Sequence, residues 1–552
     1  MKLIIKEYLS LLKESKELDS LIPELLLAMG HEVISKPQIG VRQYGVDVAS
    51  IGQDSDGIEK VFLFTIKEGD FGRADWDNGL QAVRPSLNEI IDSYIPKKLS
   101  SDNQKLIKKI VLATGGDKKQ EIDDNWNGYI EKYSKENEIE FDFWGGDKLA
   151  IWIEKYIFNE YIIPSEQRSL FRKTLALIGD IDYDLSDYYK FLDEILFNNE
   201  LEKLNDKKIL KSLRLIFLSL NIIDFWAENE DNLKKSLYAS ERTLLNVYHF
   251  LNKNSLQNKK HLKEIFNKLY KKHLDIQNKY FRKLYPAIKV KQGLSLYGHD
   301  FLQESIVLFE QLGIISLQGN FHYATLINES DSSLDYINYK NIKDAIKLMI
   351  ENNKGLLNPV HEEHIIDISL ALHVLELWDE TQFINKWIYD LLSHIDFAYQ
   401  QGSYFPIDTN DFEDLVELNI GEAKEKSEYI TTSILLPTLA FWCVKLGLLE
   451  NYKYIVHLSK EMYKESTLQV WFPDKDTNKF IYTEKASVES GYVFAPIEIK
   501  ENISEFAKMI ESLVNKNYLI DLDNDTFPIL YLVSSRHFRM PVFPHFFIKE
   551  II

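Results

Sequence analysis

Over the first 160 residues the period of apolar positions changes repeatedly. Residues 2–17 and 19–29 return an apolar side chain every three or four positions and read as helices. Pro23 falls near the first turn of the second, where proline is tolerated, and Gly30 supplies a stop. HEVISKP (31–37) reads as a strand. From Gly45 to Asp70, two runs rich in Val, Ile, Phe and Ala are joined by GQDSDG (52–57), which predicts a β-hairpin. Alternation puts Leu63, Thr65 and Lys67 on one face of its second strand and Phe62, Phe64 and Ile66 on the other. A lysine thus ends that strand on its less apolar face, and Asp47, near the start of the first strand, falls close to it. Residues 74–94 read as a helix kinked at Pro85, and KKIVLATGG (108–116) as a strand buried on both faces. A helix over 119–136, a strand over 138–144 and a helix from Asp147 to about Phe158 complete the order α, β, β, β, α, β, α, β, α. The last four alternate as in parallel βαβ crossovers, so 1–160 is expected to form an α/β domain.

Beyond Ser165 the helical period takes over. Stretches at 165–180, 207–229, 240–253, 300–315, 340–352, 362–380 and 385–401 are joined by short polar loops, which predicts a large helical region over 161–552, a bundle or solenoid-like array divisible near 290–300. No fixed-period repeat is present. A short hairpin with a DKDTN turn is expected at 470–483.

A chain of 552 residues is too long for one core, and 45% hydrophobic with 13% aromatic residues is enough to fill several. No apolar run reaches the roughly 20 residues of a membrane span, and the charged N-terminal helix does not read as a signal peptide. A cytoplasmic protein is expected. The single cysteine, Cys443, lies in an apolar stretch and excludes an intramolecular disulfide and a cysteine zinc cage. A net charge of −20 argues against coating nucleic acid with the whole surface. Between Lys259 and Gln292, however, eleven lysines and arginines stand against two acids, Glu264 and Asp275. Lys268, Lys271 and Lys272 at its middle are candidates for phosphate contact, and a solvated helix face over an inward stripe of Leu262, Ile265, Phe266, Leu269 and Tyr270 is the alternative.

The N-terminal order of elements, with Glu24 in PELLLAMGHEV, Gly45-Val46-Asp47 and Thr65-Ile66-Lys67, resembles the restriction-endonuclease-like fold, the PD-(D/E)XK nucleases, and within it the Mrr-like branch. The resemblance covers about residues 1–160. It implies a metal-dependent nuclease acting on DNA with Mg²⁺ or Mn²⁺, in which Asp47 is the central metal ligand, Glu24 reaches the same ion, the Ile66 carbonyl completes the set and Lys67 stabilises developing negative charge. Hydrolysis of a phosphodiester needs such a hard cation, and Mg²⁺ prefers carboxylate and water oxygens. Thr65 departs from the pattern, since the family carries Glu, Asp or Gln there; Glu68 and Asp70 stand just beyond it, and Gln81 is a candidate for a supporting glutamine. Fusion to a helical region implies restraint or targeting of the nuclease in prokaryotic defence against foreign DNA, with a protein partner or a second copy bound through the helices. The alternative is a domain that kept the fold, lost catalysis and serves as a binding scaffold; RNA is a further substrate to consider.

Other segments carry weaker signals. GDFGRADWDNGLQ (69–81) offers Arg73 to a phosphate backbone and Trp76 to a base, or else packs Trp76 in a helix-capping turn. The Gly145–Asp147 turn could offer amides to an anion. His361, His364 and His373 lack the His-Glu-x-x-His spacing of a zinc protease, and a solvated helix start is expected at 361–364. Residues 404–417 read as an acidic surface loop, and RHFRMPVFPHFF (536–547) either packs on the helices or docks a partner. No P-loop is present.

Overall fold

Strands β1 (Glu32–Ser35), β2 (Val48–Gln53), β3 (Glu59–Lys67), β4 (Ile107–Thr114) and β5 (Ile139–Trp144) lie side by side in that order in one sheet. The structure is a computed structural model and describes all residues except 1, 37–42, 78–81, 158–162, 164–166, 198–204, 296–299, 329–335, 410–411, 421–424, 474–480, 484–491, 518–526, 528 and 542–552. β1, β2 and β3 pair antiparallel, with Val48 opposite Phe64 and Gln53 opposite Glu59, and β4 and β5 add parallel. Parallel neighbours need crossovers, and the helices supply them.

The covering helices are α1 (Lys2–Leu9), a π-helical turn (Glu14–Leu18), α2 (Asp19–Ala28), α3 (Arg73–Asp77), α4 (Val83–Glu89), a second π-helical turn (Ile90–Tyr94), α5 (Ile95–Lys98), α6 (Asp123–Tyr133) and α7 (Gly146–Tyr156). Pro85 sits in the first turn of α4 rather than kinking a continuous helix, because the expected helix is interrupted ahead of it. Val61 and Leu63 of β3 pack in one core with Val83, Leu87, Ile90, Ile110, Leu112 and Trp126. On the opposite face, Phe62 lies 4.8 Å from the His31 ring and Phe64 lies 4.8 Å from Trp144. Both faces are therefore covered, and the face expected to be less apolar is buried as well: Thr65 is 1% exposed.

Two glycines fix close approaches. A Cβ on Gly45, at φ +79°, would stand 2.2 Å from the Ser86 carbonyl oxygen, and one on Gly115 would stand 2.1 Å from that of Leu9. The first lets the chain turn under α4 just before Asp47; the second lets α1 end against the tip of β4.

The chain divides into two compact units. The first takes Met1–Ala239 with Asn258–Lys268, and the second takes Ser240–Gln257 with Leu269–Ile552. The boundary expected near 160 falls inside the first unit, which also holds α8 (Arg168–Ala176), α9 (Ser186–Leu196) and α10 (Asp206–Asn229). Helices α11 (Leu233–Lys253) and α12 (Lys260–Ile288) are divided between the units.

The second unit is mainly helical: α13 (Phe301–Asn328), α14 (Tyr336–Asn352), α15 (His364–Leu377), α16 (Thr381–Gln401), α17 (Phe412–Ile420), α18 (Leu435–Leu446), α19 (Leu449–Glu461), α20 (Ile503–Asn517) and α21 (Leu530–Phe538). It also holds a small sheet of β6 (Thr432–Ser433), β7 (Thr467–Pro473) and β8 (Tyr492–Pro496). This corrects the hairpin expected at 470–483, because β7 takes its antiparallel partner from 492–496. The DKDTN turn lies outside the described residues. Among the described residues no helix is long and apolar enough to cross a membrane.

Candidate functional site

Asp47 enters the sheet one residue before β2 begins. Its amide donates to the Phe64 carbonyl at 2.8 Å, and its Oδ2 accepts from the Ile66 amide at 2.7 Å, so a side chain takes over the ladder where the backbone pairs stop. Oδ1 is left for other contacts. Lys67 ends β3 two positions beyond Thr65 on the same face. The hairpin thus brings Asp47 and Lys67 to one end of the sheet, with the buried Thr65 hydroxyl beside them.

The acids that join this pair come from positions the sequence reading did not select. Glu14, in the first π-helical turn, places Oε2 at 3.2 Å from the Lys67 ammonium, with 16% of the lysine and 33% of the glutamate side chain exposed. Burial pushes the Asp47 carboxyl up to about 6; the Ile66 amide and the Lys67 charge pull it down, while Glu14 and Asp19 push it up again. Asp19, the first residue of α2, is therefore close enough for its charge to be felt at Asp47.

Glu24 lies on the same helix, part-exposed, with no hydrogen bond or ion pair to Asp47 or Lys67. Five residues at 100° each turn it about 140° from Asp19, so one helix does not present both acids to one point. The acids whose charges are felt at Asp47 are Glu14 and Asp19.

The supporting candidates divide. Glu68 is exposed beyond the end of β3, and Asp70 accepts the Asp117 amide at 3.0 Å. Gln81 lies outside the described residues. The Arg73 amide donates to Glu121 at 3.2 Å and its side chain is in an exposed position. Trp76 is corrected: 3% exposed, it packs 5.5 Å from Tyr129 and 6.1 Å from Phe71, and leaves no ring face for a base. Its neighbours belong to the core of the sheet. The Gly146 amide is taken by the Gly116 carbonyl at 2.8 Å and Asp147 pairs with Lys6 at 2.8 Å, which makes the Gly145–Asp147 turn a closure of the fold.

In α12 the stripe of Leu262, Ile265, Phe266 and Leu269 is buried, as the periodicity implies. Lys268 binds both carboxylate oxygens of Glu7 at 2.7 and 2.8 Å, within the first unit. Lys271 is exposed and Lys272 part-exposed, both in the second unit.

The histidine segment departs from expectation. His361, Glu362 and His364 are buried, not solvated. Glu362 accepts the amides of Ile434 at 2.9 Å and Leu435 at 2.6 Å, where α18 starts, and burial pushes its carboxyl up to about 8. His364 Nδ1 accepts the Val360 amide at 3.3 Å. Nor is the 536–547 segment loose where it is described. Arg536 Nε donates to Glu241 at 3.1 Å, and Arg539 reaches Asp367 at 3.0 and 3.1 Å.

The carboxylates of Asp47, Glu14 and Asp19 are hard donors of the kind Mg²⁺ takes. They are not gathered as a metal cage: among the described residues no group of three or more His, Cys, Asp or Glu could hold an ion. What the arrangement offers without one is an ammonium and a carboxyl that titrates near 6 at the end of one hairpin. In comparisons with protein-family models, curated proteins and solved structures, no match to this chain was found.

Proposed function

We propose that the N-terminal α/β domain is a nuclease domain of the restriction-endonuclease-like kind, acting on phosphodiesters and DNA first among them, and that the helical region restrains or targets it. The observation that carries this reading is the contrast between the two ends of β3. At Lys60 the buried ammonium is matched by Asp54, Asp56 and Glu140 at 2.6–2.9 Å. At Lys67 the neighbouring aspartate is not held down: desolvation together with Glu14 and Asp19 outweighs the Ile66 amide and the Lys67 charge, and the part-buried Asp47 stays raised to about 6. A carboxyl held up in this way, next to a lysine, is a mark of functional sites more than of structural ion pairs.

On this reading Lys67 meets a non-bridging phosphate oxygen, and Asp47 Oδ1, with Oδ2 fixed by Ile66, orients the attacking water and accepts its proton, while the phosphorus–oxygen bond to the leaving strand breaks and solvent water protonates the leaving oxygen. Mg²⁺ or Mn²⁺ is the cofactor the resemblance brings with it, and when bound it would neutralise the phosphate. Prokaryotic defence against foreign DNA is the setting the same resemblance suggests. Plasmid DNA, single-stranded DNA and RNA incubated with the full chain and either cation test the proposal: cleavage is expected, and loss of it in both Asp47→Ala and Lys67→Ala. Cleavage that survives both substitutions refutes the assignment.

The second reading, a scaffold without catalysis, is favoured by Thr65 standing buried where the family carries a carboxylate or glutamine. Binding of DNA that is unchanged by EDTA, with no cleavage under any condition, supports it.

A further inference from the structure

The π-helical turn Glu14–Leu18 faces two ways. Through Glu14 it holds Lys67, at 3.2 Å. Through Glu17 it is tied to Lys211 of α10, while the same carboxylate accepts the Lys13 amide at 2.6 Å and so fixes the start of the turn. Just upstream, Arg214 of α10 donates to the Glu7 carbonyl at 2.8 Å, and Lys268 grips the Glu7 side chain from α12. Every one of these residues lies in the first unit. One cation from a helix beyond the α/β layer, Lys211, therefore anchors the turn that carries the acid on Lys67, and two more, Arg214 and Lys268, anchor α1 at Glu7 just upstream of it. Single π turns are rare and occur most often at functional sites.

From this geometry we infer that Glu14–Leu18 is a latch: held directly by Lys211, and through α1 by Arg214 and Lys268 on Glu7, it keeps Glu14 on Lys67 and withholds the ammonium from an anionic substrate. Release of the helical anchors frees Lys67. Glu14 is thus a positioning residue acting through Lys67, and α10 with Lys268 is the route by which the helical region restrains the site. The consequence for cleavage rests on the nuclease reading, whereas the mechanical link does not.

The test reads Lys67 directly. The full chain is pulsed with an acetylating N-hydroxysuccinimide ester and the modification of Lys67 followed by mass spectrometry, with Lys105, exposed at 75%, as internal reference. A part-buried ion pair worth ~1 kcal/mol protects an amine about fivefold, and that acceleration is expected at Lys67 in Glu14→Gln and, through the turn, in Lys211→Met and Lys268→Met. Acceleration in Glu14→Gln alone overturns the latch, since the turn would then hold its place without α10, and no acceleration in any variant overturns it too. If labelling follows the expected pattern but no nucleic acid is cleaved by any variant, the latch stands and the nuclease reading fails.

Discussion

Replacing Asp47 by asparagine should make the protein more stable at neutral pH. The asparagine side-chain oxygen can accept the same Ile66 amide hydrogen bond, so the substitution removes the charge and little else. The Asp47 carboxyl, ordinarily at 3.8, is raised to about 6 by burial and by the nearby acids. At ~1.4 kcal/mol per pH unit this shift corresponds to ~2–3 kcal/mol that the folded state forfeits whenever Asp47 is ionised. The sign follows from the direction. A carboxyl raised by folding binds its proton more tightly in the native state, so its stabilising contribution is complete below 3.8 and is lost as pH rises through about 6. Asp47→Asn should therefore gain ~2–3 kcal/mol over the native chain at pH 7.5 and about half of that at pH 5. Urea unfolding at the two pH values, followed by hydrogen exchange of the 45–67 peptide so that the sheet unit is observed, measures the difference. An asparagine variant that is less stable at pH 7.5, or a gain independent of pH, refutes the claim that Asp47 is held against its ionisation.

Two further outcomes follow from the same geometry. Gly45→Ala should cost more than ~2 kcal/mol and lower any cleavage activity, because φ +79° strains an L side chain and the new Cβ stands 2.2 Å from the Ser86 carbonyl oxygen; urea melts and the cleavage assay read both. In the second unit, Arg536→Met should cost ~3–5 kcal/mol by leaving the buried Glu241, 1% exposed, without its guanidinium and with the His537 imidazole at 3.1 Å as its remaining partner. The double variant with Glu241→Leu should recover part of that loss in urea unfolding.

Much of the sheet was legible because alternation in a hairpin is a strong signal: Val48 to Lys67 carries its partners, turn and face assignment in twenty consecutive residues. The acids were not legible. A continuous helix was expected over 2–17, yet α1 stops at Leu9 and Lys13–Glu17 contains no apolar residue; that gap in the repeat is where the π turn that carries Glu14 forms. Glu24 was chosen by its distance from Gly30 along the chain, whereas helix rotation separates it from the Asp19 face. Burial of the His361–His364 segment had a readable cause. α15 is apolar around its circumference, and such a helix is internal, so the polar residues that open it are carried inside and must find partners there. The β7 partner was missed because hairpin reading favours the nearest apolar run, and the true one comes later in the chain.

β3 supplies its own control for the functional argument. Its first half buries Lys60, 2% exposed, and burial works against that charge, but Asp56, Glu140 and Asp54 more than offset the loss and raise the lysine. Lys60 and Lys109 in turn hold Asp54 well below the usual carboxylate range, in spite of its burial. Seven residues on, the same strand ends in Lys67, and the part-buried Asp47 beside it moves the other way, raised to about 6. The Lys60 cluster gains from ionising its acids, whereas the folded chain loses stability by ionising Asp47 at neutral pH. Carboxyls held up in this way cluster at functional sites rather than in balanced ion pairs such as that of Lys60.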